Sequence, residues 1–135
     1  MKKILTAGTW DLFHVGHLNI LKKSKELGNM LAVGVSTDEL TKSHKGSYPV
    51  ISFKERIAII RGIEGVDIAY EQKKELLSMK DILIIKPDII TIGSDWKNKK
   101  IEGLEWFKLH NGEVIYLPYT SGISTTILKK RILAL

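Results

Sequence analysis

At 135 residues the chain has the length of one domain with a real hydrophobic core, and its 44% apolar and 27% charged residues are ordinary for a soluble globular protein. No apolar stretch reaches the length of a membrane span, and zero cysteines exclude disulfides and thiolate metal sites. A net charge of +6 would suit nucleic acid, but the lysines are scattered without an aromatic-interleaved stripe, so anionic small molecules such as a nucleoside triphosphate explain the sign better.

In chain order, Met1-Lys2-Lys3 enters an apolar run with no signal-peptide pattern, and a cytoplasmic location is the expectation. Lys3–Ala7 reads as a first buried strand, and His17–Leu27 as a helix with Leu18, Ile20, Leu21 and Leu27 at helical spacing. Met30–Val35 is nearly all apolar, as in a parallel strand buried on both faces. A polar segment, Ser36 to Ser47, follows as a loop; Ser52 with Glu55 then reads as a capping box opening a helix over Phe53–Ile63. Val66–Tyr70 is a third strand and Lys73–Ile85 a helix stopped by Lys86-Pro87. Ile89–Ile92 is a fourth strand closed by Gly93, Glu102–His110 a helix, and Val114–Leu117 a fifth strand. Ser124 caps a last helix, Thr125–Leu133. Strands alternating with helices predict one α/β domain over residues 1–135, a Rossmann-like, doubly wound parallel sheet.

The densest chemistry lies in Gly8-Thr9-Trp10-Asp11-Leu12-Phe13-His14-Val15-Gly16-His17. Two imidazoles stand where a strand ends and a helix begins, the junction where open α/β sheets bind ligands, and free N–H groups at the helix start favour phosphate. Gly16 between them suits close approach of a substrate to the backbone. His14 and His17 would stabilise phosphate best as cations, and a bound phosphate raises an imidazole pKa. A zinc site would need further spaced ligands that are not evident; magnesium arriving with a nucleotide fits better. Lys42-Ser43-His44-Lys45-Gly46 is polar and basic, with mobile lysines able to close over a phosphate. Gly93-Ser94-Asp95-Trp96 follows the fourth strand at its ligand-binding end, where Trp96 could stack on a ring or a cationic group. Gly122-Ile123-Ser124-Thr125-Thr126 opens the last helix, and its hydroxyls and N–H groups can both cap the helix and cradle phosphate.

Gly-Thr-Trp-Asp-x-x-His-x-Gly-His, followed far downstream by Gly-Ile-Ser-Thr-Thr, resembles the cytidylyltransferase branch of the nucleotidyltransferases, most of all the small bacterial glycerol-3-phosphate cytidylyltransferases. The resemblance runs from Lys3 to about Ile132 and implies the same fold, a homodimer, and transfer of CMP from CTP to a small phosphorylated alcohol. It implies that His14, His17 and Lys45 are catalytic. Thr9, Trp10, Gly93, Asp95 and Gly122 to Thr126 would join the histidines around the nucleotide. Asp11, Lys42, Lys45, Arg56 and Trp96 would face the acceptor, although a surface ion pair is the plain alternative for Arg56. Two positions depart from that family: Glu64 and Tyr119 stand where it usually has arginines, with Arg61 as a substitute one turn before Glu64. Related adenylyltransferases acting on heptose phosphate lack those arginines too, and ethanolamine or choline phosphate are further possible acceptors. Trp106, Phe107 or Tyr70 on one exposed face would fit a dimer interface.

Overall fold

In the computed structural model, which describes residues 1–135, five strands pair in the order β3-β2-β1-β4-β5, all parallel. They are β1 (Lys3–Gly8), β2 (Met30–Ser36), β3 (Ile68–Gln72), β4 (Ile89–Gly93) and β5 (Glu113–Leu117). Six helices connect or follow them: α1 (Val15–Glu26), α2 (Asp38–Lys45), α3 (Phe53–Arg61), α4 (Met79–Ile85), α5 (Glu102–Leu109) and α6 (Thr125–Leu133). The central register pairs Lys3 with Met30 and Gly8 with Val35. Successive strand residues point to opposite faces, so one apolar run supplies two cores. Ile4, Leu31, Val33 and Ile89 pack beneath Leu21 of α1 and Ile57 and Ile60 of α3. Leu5, Ala32, Ile90 and Ile92 pack on the other side against Ile82 of α4 and Leu104 and Phe107 of α5. This is the doubly wound α/β fold expected from the alternation. The strand order reverses between β1 and β4, which puts a crevice at their carboxyl ends.

Four local expectations are corrected. The polar segment after β2 contains a full helix, α2, whose start is capped by Thr37 Oγ1 accepting from the Leu40 N–H at 3.1 Å and whose end is Gly46 at φ 82°. Its one apolar anchor, Leu40, gives too little periodicity to announce a helix. Conversely, Lys73–Ser78 is a turn, and α4 begins only at Met79 with Ser78 as its cap. Leu76 and Leu77 are both buried there, and the Leu77 N–H donates to Gln72 Oε1 at 2.9 Å, so tertiary contacts override helix propensity. Ser52 is the N-cap residue of α3 as expected, but it makes no side-chain capping bond; its hydroxyl donates to Glu55 Oε2 at 3.1 Å instead. Finally, Phe107 is buried and Trp106 and Tyr70 are half-buried against the α4–α5 core, so the three do not make an exposed face.

Candidate active site

The crevice at the switch point is a cleft of about 640 Å³. Its floor is the end of β1 and the following loop, Thr6 to Asp11, together with Ile92 and Gly93 of β4. Two helix starts meet over it: His14, Gly16 and His17 from α1, and Ser124, Thr125 and Thr126 from α6. His44 and Lys45 from the end of α2 line it as well, with Asp95, Trp96, Lys99 and Tyr119. Both helix starts turn free N–H groups and the positive end of a dipole toward the cleft, an arrangement built for phosphate.

The loop leading into α1 is held in a costly conformation. Trp10 and Leu12 have φ of 60° and 49°, a region non-glycine residues occupy at about 1–3 kcal/mol each. Buried groups enforce it. The indole N–H of Trp10 donates to the Gly34 carbonyl at 3.0 Å, so this ring is a wedge under the loop with its donor already used. Asp11 is buried too. Its carboxylate accepts from the backbone N–H groups of Val50 at 2.8 Å and of Ile51 at 2.9 Å, and from Leu12 at 3.1 Å. Asp11 lines the cleft, and through these bonds its carboxylate also fastens the β1 loop to the segment before α3.

His14 is the N-cap of α1, and the two histidines bond each other's turn reciprocally. The Gly16 N–H donates to Nδ1 of His14 at 3.0 Å, and the His14 N–H donates to Nδ1 of His17 at 3.2 Å. With Nδ1 an acceptor on both rings, the proton of each neutral imidazole sits on Nε2. The rings stack with centroids 3.8 Å apart. Desolvation by burial, then the charges of His14 and Lys45, push His17 down to about 3; burial lowers His14 as well. In the free protein burial thus favours the neutral form of both rings, whereas the expected cations belong to the state in which a bound phosphate raises the imidazole pKa. Gly16 has a second role. A Cβ there would lie 2.8 and 2.9 Å from ring atoms of His14, so this glycine, which also lines the cleft, makes room for the cap.

At the start of α6, Ser124 Oγ accepts from the Ile127 N–H at 3.1 Å, and Thr125 Oγ1 donates to the Asp11 carbonyl at 3.1 Å. Ser124, Thr125, Thr126 and Ile123 all line the cleft; Gly122, at φ 81°, supplies the turn before them without lining it. Lys45 reaches the cleft, and partial desolvation with the nearby Lys129 ammonium lowers its pKa. That like-charged neighbour lies on α6, and no local sequence pattern announces it. Lys42 lies outside the lining, with Nζ 4.4 Å from the Tyr48 ring centroid.

Arg56 is neither an acceptor ligand nor half of a surface ion pair. It is 1% exposed, and every donor nitrogen is engaged: Nε with the Ile51 carbonyl at 2.8 Å, Nη1 with those of Thr9 at 2.6 Å and Ser36 at 2.8 Å, and Nη2 with Asp38 at 2.7 Å. Glu64 is exposed and Arg61 bonds toward Ala69 on β3; neither lines the cleft, so Arg61 does not replace a cleft arginine. Tyr119 does line it. Its hydroxyl donates to Asp95 Oδ1 at 2.5 Å across Gly93, and burial with Asp95 raises its pKa.

A parallel sheet with two helix starts and paired imidazole donors converging on a switch-point cleft defines a phosphate-handling enzyme of the nucleotidyltransferase kind. Residues 5–131 match the family model described as cytidylyltransferase-like, and the chain belongs to that family. It is 42% identical over 132 residues to a glycerol-3-phosphate cytidylyltransferase of Bacillus spizizenii, covering 96% of each. It is 38% identical to the bifunctional protein HldE of Desulfatibacillum aliphaticivorans over 93% of this chain and 26% of that one. Among solved structures, a lipopolysaccharide core biosynthesis protein of Thermoplasma volcanium superposes with a TM-score of 0.68 at 29% identity, covering 89% of this chain and 97% of its own.

Proposed function

We propose that the chain transfers a cytidylyl group from CTP to glycerol 3-phosphate, giving CDP-glycerol and pyrophosphate. An acceptor phosphate oxygen attacks the α-phosphorus while the P–O bond to the β-phosphate breaks. The negative charge stays on phosphate oxygens throughout, so no side chain need take a proton. The observation that carries this reading is the reciprocal cap of His14 and His17, which fixes two Nε2–H donors at a helix start lining the cleft. Such preorganised donors are the main catalytic device available to phosphoryl chemistry. The start of α6 and Lys45 would hold the remaining phosphate oxygens, and the wall formed by His44, Lys45, Trp96 and Lys99 would receive the acceptor.

The chain's own donors do not fit a resident metal: no three His, Asp or Glu side chains gather as a ligand group, and both Asp11 oxygens are engaged by backbone. In this reading magnesium enters with the triphosphate as its counter-ion.

A second reading, adenylyl transfer to a sugar phosphate, is favoured by Tyr119, which lines the cleft where the resemblance expects arginine. Pyrophosphate release with each of four NTPs against glycerol 3-phosphate, ethanolamine phosphate, choline phosphate and heptose 1-phosphate separates the two. Turnover with CTP and glycerol 3-phosphate is expected, dependent on added magnesium; turnover with ATP alone would overturn the choice. The same proposal makes the protein a cytoplasmic homodimer with no nucleic-acid partner. No helix is long and apolar enough to cross a membrane. Analytical ultracentrifugation is expected to give twice the monomer mass, and a pure monomer would remove the dimer from the proposal.

A further inference from the structure

One aromatic ring, Trp96, stands at the wall assigned to the acceptor, and it already carries a cation of the chain's own. Lys99 Nζ lies 5.0 Å from the Trp96 ring centroid. The His44 ring meets Trp96 at 90°, with centroids 6.5 Å apart, so α2 covers a second approach to the indole. Trp96, Lys99, His44 and Lys45 line the cleft together. The carboxylate on this wall, Asp95, has the Tyr119 hydroxyl on Oδ1 and lies in the field of Lys45.

Recognition of a quaternary ammonium or protonated amine uses the negative face of an aromatic ring, most strongly that of tryptophan. A ring whose face holds a lysine cannot offer that attraction, and the lysine repels an arriving cation. The same ammonium attracts a phosphate dianion and can donate to hydroxyls.

We propose that Lys99, seated over Trp96, is the specificity-determining residue of the acceptor site. It admits phosphates carried on an uncharged, hydroxylated remainder and turns away phosphates carrying a cationic head group. The inference rests on the reading of the cleft as a nucleotidyltransferase site and names its acceptor class.

Titration calorimetry of glycerol 3-phosphate and choline phosphate, on the intact protein and on Lys99→Met and Lys99→Arg, tests it. Lys99 is exposed and in no regular element, so the variants should fold, and unchanged circular dichroism checks this. The intact protein is expected to favour glycerol 3-phosphate at least tenfold. Lys99→Met should narrow that ratio at least tenfold, and Lys99→Arg should keep it. An unchanged ratio in Lys99→Met, a preference of the intact protein for choline phosphate, or binding of neither ligand would overturn the proposal. If the ratios behave as expected while CTP and glycerol 3-phosphate release no pyrophosphate, the functional reading fails and the selectivity stands.

Discussion

Within the first turn of α1 the His17 ring is enclosed by Trp10 at 5.6 Å, Phe13 at 5.3 Å and His14 at 3.8 Å between centroids. That enclosure opposes a charge, and the N–H of His14 pointing at Nδ1 opposes it again. With a folded pKa of about 3 against an ordinary 6.5, the unfolded chain binds more protons at any pH between the two. Stability from this residue is present above about pH 6.5 and declines as the pH falls toward 3, with a slope of up to about 1.4 kcal/mol per pH unit. Thermal melts between pH 7 and pH 4 should therefore lose midpoint steadily, and His17→Asn should flatten the decline. Parallel profiles for the two proteins would mean that His17 does not titrate as described. Lys45 is poised in a related way. A lysine held near Lys129 gains more from an arriving phosphate than an isolated one would.

Helix α1 begins as it does because of its first turn, and Gly16 decides whether that turn can form. In Gly16→Ala the added methyl would press on the His14 ring and expel it from the cap. Loss of the cap should cost about 1 kcal/mol in a thermal or denaturant melt. Loss of an aligned Nε2–H donor should lower kcat by roughly 10²-fold in the pyrophosphate assay. A normal rate would separate the cap from the chemistry.

Elements also differ in how openly the sequence announces them. β1, β2 and β4 are short apolar runs closed by Gly, Ser or a polar turn, and α6 has Ser124 as an evident cap; all four were legible. The His14-x-Gly-His17 junction was legible because strand, loop and helix start are contiguous in the chain. α2 was not legible, since its polarity reads as loop while Thr37 and Gly46 supply ends without a periodic middle. Nor was the turn at Lys73–Ser78, which depends on the amide of Gln72 meeting the Leu77 N–H. The charge states of the histidines were likewise hidden, because the loop conformation that folds Trp10 and Phe13 against the His17 ring, and the approach of Lys45, leave no pattern in the sequence.

Across the whole molecule Arg56 joins four segments at once: the β1 loop through Thr9, the end of β2 through Ser36, the approach to α3 through Ile51, and α2 through Asp38. A buried guanidinium paired in this way leaves several acceptors bare when it is removed. Arg56→Met is expected to destabilise the protein by about 3–5 kcal/mol in urea titration. In the fraction that still folds, the KM for the acceptor should change little. A stable variant with a greatly raised acceptor KM would return Arg56 to the binding site. The sequence showed its position but not its burial, because each partner lies in a different connection. The hydrogen bond from Thr125 to the Asp11 carbonyl spans 114 positions, joining the loop after the first strand to the last helix. The rim of the cleft is thus a joint between two far-separated stretches of chain, and a cut anywhere between them would leave the two helix starts to find each other as separate pieces.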